Sequence, residues 1–522
     1  MKLENYVAGA WVSGTGEART FMNPTTGEAL GEVSDEGIDA SAALDFARRR
    51  GTPALSSLTF AERADILRAI ADALKANRQK YVDIARQNGG NTASDAAIDI
   101  DGGIFVLKAY ARYGAALGDK RILVESGQDQ LEREPVFYAR HVWTSRPGAA
   151  VQVNAFNFPS WGMWEKTATA ALAGVASVVK PASATAWLAH EMMRDVVAAG
   201  VVPEGALSLI CGSGRNLVDA LQPTDSLAFT GSADTGFRLR SNEAVLKAAP
   251  RLSVEADSMN ATILGPDAEP SSPVFDLAVR EVVKALTVKA GQLCTNIRRI
   301  LVPRAALVPF RDAVAEKLSG ILVGDPALES VRMGPLVDLK QRTAALDGIE
   351  RLKQEAEVVL GGGIPATAEG ADPTKGAFLA PTLLVCNQPS AATAVHETEV
   401  FGPCATLMPY GSFDEALDLA NRAGGCLVLG LFSSDAVLQK QAVSKLAPWH
   451  GRLLIVDSEV GRNHTGQAIV MPQCVHGGPG RAGGGEELGG VRGLRLHMQR
   501  SAVQGSPSML RALAEDAAEA AL

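Results

Sequence analysis

The sequence predicts an α/β fold of more than one unit. From residue 147, short β-branched runs alternate with Ala-rich segments of helical length, as in parallel strands whose sheet is covered on both faces by helices. The same texture resumes at Ala261–Leu264 and continues through a helical stretch, Phe275–Lys289, to about residue 460. A chain of 522 residues has room for roughly three to four domain-sized units. The five runs of the first segment are Ala150–Val153, Ser177–Lys180, Leu207–Cys211, Leu227–Thr230 and Leu252–Glu255.

The segments on either side of this core carry their own signals. Thr59 and Glu62 have the spacing of a capping box, and apolar residues then recur at helical intervals until Gly89. Residues 362–376 predict a surface loop, and the Gly-rich stretch 476–493 has no apolar period. The end of the chain, 508–522, is compatible with an Ala-rich acidic helix or with a frayed tail.

Composition and charge exclude several function classes. Lys and Arg number 50 against 58 Asp and Glu, so the net charge is −8 and no basic patch indicates nucleic acid. The N-terminus has no signal-peptide pattern, and the longest nearly apolar run, 168–179, is shorter than the ~20 residues of a membrane span. None of the six cysteines forms a CxxC pair, which predicts reduced thiols in the cytoplasm.

One cysteine has the surroundings of a nucleophile. Cys294 follows a helical segment in the sequence Gly-Gln-Leu-Cys-Thr, whose small and polar neighbours leave room for a substrate at the sulfur. By itself, a single cysteine is more often a packing residue. We expect no metal site, because the pair His396–Glu397 is followed by Val400 where a zinc-binding helix requires histidine.

Four further motifs lie in order along the chain with Cys294. They are Asn154–Pro159, Val179–Ser183, Phe229–Gly236 and Glu399–Pro403. Together the five resemble the aldehyde dehydrogenase superfamily over about residues 5–500. The first motif departs from the family in carrying Ala155 and Phe156 in place of Pro and Trp.

The resemblance implies an aldehyde dehydrogenase-like architecture. We expect a Rossmann-type cofactor domain, an α/β catalytic domain and a small β flap that joins copies of the chain into a homodimer or homotetramer. The expected segments are 1–125 and 147–260 for the NAD(P)-binding domain, 261–460 for the catalytic domain, 126–146 and 480–505 for the oligomerisation flap, and 506–522 for a C-terminal tail.

The resemblance also implies three catalytic roles. An aldehyde carbon donates hydride only after a nucleophile adds, and Cys294 is the implied nucleophile once local dipoles or the cofactor's charge lower its pKa. Asn157 and the backbone N–H of Cys294 are the implied oxyanion donors. Glu255 is the implied base for the water that hydrolyses the thioester, although the family's Glu-Leu-Gly-Gly is here Glu-Ala-Asp-Ser. Related enzymes that pass the acyl group to coenzyme A lack this carboxylate, so Glu255 favours a free acid product.

Six residues are implied to hold a nicotinamide cofactor: Lys180, Ser183, Gly231, Ser232, Glu399 and Phe401. Glu399 is expected to accept from the ribose hydroxyls, and Phe401 to lie beside the nicotinamide ring. Ser232 is expected to begin a helix whose amides attract anions. Many NAD-preferring relatives carry Glu at the position of Ser183, where its charge repels a 2′-phosphate. The predicted cofactor is therefore NADP, with NAD as the alternative.

A narrower resemblance concerns the substrate. Glu255-Ala-Asp-Ser and the Gly-rich tail from His476 to Gly490 are similar to the coenzyme A-linked semialdehyde dehydrogenases of aerobic aromatic degradation. No hydratase domain follows, which favours the stand-alone form and an acyl-CoA semialdehyde as substrate. Three alternatives stay open: a dehydrogenase of small aliphatic or aromatic aldehydes, a Cys-dependent hydrolase, and a silent binding protein. None of the seven histidines lies in a recognisable partner motif for a hydrolase.

Overall fold

The computed structural model of the protein describes residues 1–520, apart from the side chain of Arg215. Within these residues, no helix has both the length and the apolar character needed to cross a bilayer. The helices are α1 (Ala40–Phe46), α2 (Thr52–Ser56), α3 (Phe60–Ala76), α4 (Arg78–Gly89), α5 (Ala93–Leu117), α6 (Trp161–Leu172), α7 (Ala186–Ala198), α8 (Arg215–Asp219), α9 (Ala233–Arg240), α10 (Glu243–Ala248), α11 (Pro273–Thr287), α12 (Leu307–Ser319), α13 (Leu339–Leu352), α14 (Ala394–Glu397), α15 (Phe413–Asn421), α16 (Ala436–Leu446) and α17 (Pro507–Glu515).

The strands form two large sheets, a flap and two short hairpins. They are β1 (Asn5–Val7), β2 (Ala10–Val12), β3 (Arg19–Met22), β4 (Ala29–Val33), β5 (Leu123–Val124), β6 (Asp129–Gln130), β7 (Tyr138–Ser145), β8 (Ala149–Val153), β9 (Ala176–Lys180), β10 (Leu207–Leu209), β11 (Ser226–Thr230), β12 (Arg251–Glu255), β13 (Ala261–Leu264), β14 (Arg299–Pro303), β15 (Glu357–Leu360), β16 (Thr382–Val385), β17 (Cys404–Tyr410), β18 (Cys426–Phe432), β19 (His450–Val456), β20 (Val475–Gly477), β21 (Glu486–Leu488), β22 (Met498–Gly505) and β23 (Ala518–Glu519).

The first large sheet confirms the five predicted strands. Its order is β12-β11-β8-β9-β10-β1-β2, and the five strands from β8 to β12 run parallel. The N-terminal strands β1 and β2 extend it in antiparallel pairing. Register pairs Val153 with Lys180 and Thr230 with Glu255, so the carboxyl ends of these strands meet at one edge. Ligands of parallel sheets bind at such edges.

The second large sheet begins at Ala261, as predicted. Its order is β15-β16-β17-β14-β13-β18-β19, and every neighbouring pair is parallel except β15 with β16. Helix α11 ends at Thr287, earlier than predicted, because Lys289 and Ala290 adopt left-handed φ angles of 49° and 51°. Cys294 follows this bend, at the side of the sheet that faces the first one.

Part of the predicted oligomerisation segment forms a small sheet, the flap. Strand β7 pairs antiparallel with β22 over Tyr138–Ser145 and Met498–Gly505, and β5, β6 and β23 complete the sheet. The earlier residues of 480–505 lie elsewhere, because Gly485 donates to the carbonyl of Val254 and packs against β12. The tail forms helix α17 and strand β23. Residues 521–522 of the predicted tail lie outside the described residues.

The predicted N-terminal helix is two helices. Thr59 and Glu62 form the capping box of α3, as predicted. The helix breaks at Asn77, whose φ of −105° and ψ of 13° are not helical and whose side chain donates to the Ala73 carbonyl at 3.1 Å. Helix α4 then runs to the left-handed Gly90, where the sequence predicts the end. The interval 362–376 is largely irregular, in agreement with the predicted loop.

Candidate active site

A strained turn presents the predicted nucleophile. Lys289, Ala290 and Gly291 all adopt positive φ, and a Cβ at Gly291 would lie 2.3 Å from the carbonyl oxygen of Gly402. The turn is held from outside by Asp95 of α5, which accepts the backbone N–H of Lys289 at 2.9 Å. Residues with these angles persist only where their surroundings fix them. The chain therefore leaves the turn in one direction, toward the edge of the first sheet.

The loop that carries Cys294 is fixed through its carbonyl groups. The Asn260 amide donates to the carbonyls of Cys294 and Asn296, at 2.7 and 3.0 Å. The buried guanidinium of Arg298 donates to the carbonyl of Leu293 at 3.1 Å. These bonds anchor the backbone on both sides of the half-buried sulfur, which lines the junction of two cavities.

Glu255 and His476 lie beside this sulfur. Glu255 ends β12, and its Oε2 is 3.1 Å from Nε2 of His476 in β20. One ligand atom from each of Cys294, Glu255 and His476 lies within 4.8 Å of the others. Burial acts to raise the pKa of Glu255, but the charge and hydrogen bond of His476 lower it below its usual range. Burial and then the charge of Glu255 raise the pKa of the Cys294 thiol, so here a thiol lies beside an ionised carboxylate.

More buried charges surround this pair. Lys166 of α6 lies 3.2 Å from Oε1 of Glu165 and 2.9 Å from Oε2 of Glu487. Burial acts to lower the pKa of Lys166, but the charges of Glu487 and Glu165 raise it. Burial raises the pKa of Glu165 to about 7. We call the five residues Glu165, Lys166, Glu255, His476 and Glu487 the buried charge cluster.

Asn157 lines the same cavity as the sulfur. Its Nδ2 donates to the carbonyl of Gln292 at 3.0 Å, which uses one of the two amide hydrogens. Asp99 of α5 fixes the turn by accepting the backbone N–H groups of Ser160 and Trp161, at 3.3 and 2.8 Å. The second amide hydrogen can be given to a ligand at the sulfur.

On one side of Cys294 a wide crevice of about 1290 Å³ follows the edge of the first sheet. Burial raises the pKa of Glu399 to about 7, and its Oε1 has no hydrogen-bond partner among the described residues. The buried hydroxyl of Thr230 also has no hydrogen-bond partner within residues 1–520. A ligand that carries hydroxyl groups would satisfy both. All six predicted cofactor residues line this crevice: Lys180, Ser183, Gly231, Ser232, Glu399 and Phe401.

The outer end of the crevice carries positive charge. Burial and then the charge of Arg19 lower the pKa of Lys180, so the two cations are close enough to interact. The Ser183 hydroxyl donates to the carbonyl of Gly212 at 3.3 Å. One carboxylate, Asp35, is also nearby, and it accepts the backbone N–H of Gly214 at 2.7 Å.

The start of α9 holds an anionic side chain. Ser232 caps the helix by accepting the N–H of Thr235, but the N–H of Ala233 donates to Oδ1 of Asp257 at 2.9 Å. The helix start therefore binds a carboxylate of the protein itself, an anion of the kind that such amides attract. Asp257 lies where the sequence departs from the family's double glycine. That departure is the feature of the sequence that indicates a carboxylate near the start of α9.

On the other side of Cys294 lies a narrow, mainly apolar pocket of about 60 Å³. Phe158 and Trp161 meet edge to face with ring centroids 6.0 Å apart. The pocket is closed on its far side by the segment Ala468–Val470.

The sequence reasoning missed four residues of the buried charge cluster. Glu165 and Lys166 form a charged pair inside the wholly buried half of α6, and such pairs require partners. His476 was noted only as the start of a Gly-rich stretch. Nothing local in the sequence indicates that His476 and Glu487 pair across β20 and β21.

The fold and site define an enzyme class. A thiol, a carboxylate and an amide meet where a crevice suited to a dinucleotide joins a narrow pocket, as an oxidoreductase with a nucleotide cofactor requires. Residues 11–499 match the model of the Aldehyde dehydrogenase family, and the chain belongs to this family. It is an NAD(P)-dependent aldehyde dehydrogenase.

The relatives agree with this assignment. The chain is 50% identical over 479 residues to a 3,4-dehydroadipyl-CoA semialdehyde dehydrogenase from Aromatoleum evansii, covering 92% of this chain and 93% of that protein. Among solved structures, apo betaine aldehyde dehydrogenase from Staphylococcus aureus superposes with a TM-score of 0.83 at 26% identity, covering 96% and 95% of the two chains. Another structure of that enzyme, in complex with NAD+, superposes with a TM-score of 0.83 at 25% identity and covers 96% and 97%.

Proposed function

We propose that the protein oxidises an acyl-CoA semialdehyde, such as 3,4-dehydroadipyl-CoA semialdehyde, to the free acid with NADP+ as oxidant. The observation that carries the chemistry is the meeting of Cys294, Glu255 and Asn157 at the junction of crevice and pocket. The substrate assignment is supported by the 50% identical relative. A dehydrogenase of small aldehydes is the alternative within the same chemistry.

The NADP preference is supported by the outer end of the crevice. Lys180 and Arg19 supply two cations, and Ser183 supplies a hydroxyl where a glutamate would repel a phosphate. Guanidinium and ammonium groups are the usual partners of phosphate. Asp35 weakens this field, but it is already held by backbone N–H groups.

In the first half of the reaction, Glu255 takes the thiol proton of Cys294, and the sulfur adds to the aldehyde carbon. The carbonyl oxygen becomes an oxyanion, which the free amide hydrogen of Asn157 and the backbone N–H of Cys294 stabilise. Glu399 and Phe401 would hold the inner end of the cofactor, and Lys180 and Ser183 would hold its outer end. The chemistry supplied by bound NADP+ is acceptance of a hydride, which leaves a thioester on Cys294.

In the second half, water attacks this thioester. Glu255 takes a proton from the water, the resulting hydroxide adds to the thioester carbon, and the C–S bond breaks to release the acid and the Cys294 thiolate. Asn157 stabilises the oxyanion again. Glu255 releases the thiol proton to solvent before the water attacks, and it returns the proton taken from water to the Cys294 thiolate, so the same carboxylate serves the thiol and the water in turn.

The proposals for oligomeric state and cellular location are supported by the exposed edge of the flap and by the free cysteines. Strand β22 lies at the edge of the flap with most of its side chains exposed, and an exposed edge of this kind invites pairing with a second copy. We therefore propose a homodimer or a homotetramer. The six cysteines are free thiols, which supports a cytoplasmic location.

The deciding experiment compares NADP+ reduction with a CoA-linked semialdehyde and with its free-acid counterpart. We expect at least tenfold higher kcat/KM for the CoA-linked substrate, and equal efficiency would overturn the substrate assignment. C294A should abolish NADPH formation, whereas C474S, which changes an exposed thiol, should leave it unchanged. Ester turnover without nicotinamide, with no aldehyde-dependent NADPH in the wild type, would favour the Cys-dependent hydrolase.

A further inference from the structure

The two oxygens of the Glu255 carboxylate have different surroundings. Oε2 lies 3.1 Å from Nε2 of His476. Oε1 is buried and has no hydrogen-bond partner in the part of the chain that the structure describes. A carboxylate bonded through one oxygen has lost most of its freedom to rotate, so Oε1 points in a fixed direction. The cavity that holds the Cys294 sulfur is also lined by Glu255 and His476.

His476 is held rigidly enough to act as an anchor. It is the central residue of β20 and pairs in register with Glu487 of β21. The neighbouring Gly477 approaches another strand closely, since a Cβ at Gly451 of β19 would lie 1.8 Å from its carbonyl oxygen. The His476 side chain is 8% exposed, so water competes little for its hydrogen bond.

The charges around His476 favour its cationic form. Three carboxylates, those of Glu165, Glu255 and Glu487, share the buried charge cluster with one ammonium group, that of Lys166. An imidazolium at His476 offsets this excess of acid, together with partial protonation of Glu165, whose pKa burial raises to about 7. Burial acts to lower the pKa of His476, but the charge of Glu255, followed by its hydrogen bond and the charges of Glu165 and Glu487, raises it.

We propose that His476 is a positioning residue that, as an imidazolium, holds Oε2 of Glu255, so that Oε1 is the atom that receives the proton from thiol and water. The inference rests on the proposed function, because it assigns a role within the same reaction. In hydrolysis, one water O–H bond breaks, its proton goes to Oε1, the hydroxide adds to the thioester carbon, and the sulfur leaves as thiolate. His476 keeps its own proton throughout.

The test uses H476A and H476Q in the full-length enzyme with NADP+ and an aldehyde. H476A removes both donor and charge, and we expect kcat to fall by about tenfold to hundredfold, a part of what a complete general base contributes. The KM for aldehyde should change little. Because Oε1 receives the thiol proton as well as the water proton, a rapid-mixing experiment should show a slower first turnover of NADPH in addition to the slower steady state.

H476Q separates orientation from charge. Its amide can donate to Oε2 without a positive charge, so we expect it to recover part of kcat. Without the imidazolium, the carboxylate form of Glu255 loses its nearest favourable charge and its pKa rises. The acid limb of kcat should therefore lie at least one pH unit above that of the wild type.

The matched control is H450Q, which alters another buried histidine, one that hydrogen-bonds the Leu446 carbonyl away from the cluster. It should keep the wild-type kcat and pH profile. A wild-type acid limb in H476Q, or H476A turnover within twofold of wild type, would overturn the proposal. Should H476A fail to fold in a thermal melt, H476Q alone decides through its pH profile. If the wild type gives no aldehyde-dependent NADPH, the proposed function itself fails.

Discussion

The crevice and the pocket on the two sides of Cys294 differ in size and in exposure to water. The crevice side has about 1290 Å³ of space and is lined by residues from several well-separated motifs, many of them in contact with solvent. The pocket side has about 60 Å³ and is backed by the buried charge cluster. Charges interact far more strongly in a dry interior than near water. Recognition of a large cofactor is therefore spread over many weak contacts, whereas the proton chemistry depends on a few buried groups.

If this contrast holds, the largest loss of turnover comes from a substitution on the buried side that replaces one oxygen of Glu255 by nitrogen. Glu255→Gln keeps the shape but removes the proton acceptor, so we expect turnover to fall by ~10²–10⁴-fold. Steady-state release of acid product is the measurement. Glu316→Gln, an exposed change on α12, is the control and should be silent. Acid release at the wild-type rate by the Glu255 variant would refute the assignment of the base.

Asn157→Ala tests the group that faces both sides. The loss of one oxyanion donor typically costs ~10²–10³-fold in kcat, and we expect a loss of this size. Cofactor affinity, measured by NADPH fluorescence, should be unchanged, because the amide contacts the Gln292 carbonyl rather than the outer crevice. An equal weakening of cofactor binding would mean that the residue only shapes the crevice.

On the crevice side, a change of charge should shift the preference between NADP+ and NAD+ rather than abolish turnover. Ser183→Glu places a carboxylate at the outer end, beside Lys180. Like charges repel across an interface, so the ratio of kcat/KM with NADP+ to that with NAD+ should fall by about tenfold to hundredfold. Ser319→Glu adds the same charge at an exposed helix end and should leave the ratio as it was. A clear NAD preference in the wild type would already contradict the proposal.

The contrast also explains what the sequence could predict. The strands of the first sheet are visible as β-branched runs, and the crevice residues lie just after those strands, so local sequence is enough to place them. The buried charge cluster brings Lys166 beside Glu487 and Glu255 beside His476, at separations of hundreds of residues. The apolar periodicity of the sequence carries no information about such long-range ion pairs. Asn77 is a smaller case, because it breaks the helix without Gly or Pro, through a side-chain bond to the Ala73 carbonyl that apolar spacing does not record.

The smallest expected effect is a loss of stability at the capping box of α3, which lies away from both the crevice and the pocket. It tests whether a change in a distant helix disturbs either of them. In the capping box, the backbone N–H of Thr59 donates to Glu62 at 2.7 Å and its hydroxyl accepts the N–H of Glu62 at 3.2 Å. Thr59→Ala should lower the free energy of unfolding by about 1 kcal/mol, whereas Thr59→Ser should be nearly neutral. Denaturant unfolding measures both.

The kinetic result of the same variant sharpens the comparison. Helix α3 packs against α6, which carries Glu165 and Lys166, so the cap is mechanically linked to the buried side but not to the outer crevice. Because core packing resists small displacements, we expect kcat of Thr59→Ala to stay within twofold of wild type. A larger fall in kcat with unchanged cofactor affinity would show that the buried charge cluster tolerates less movement of its supporting helix than the crevice does.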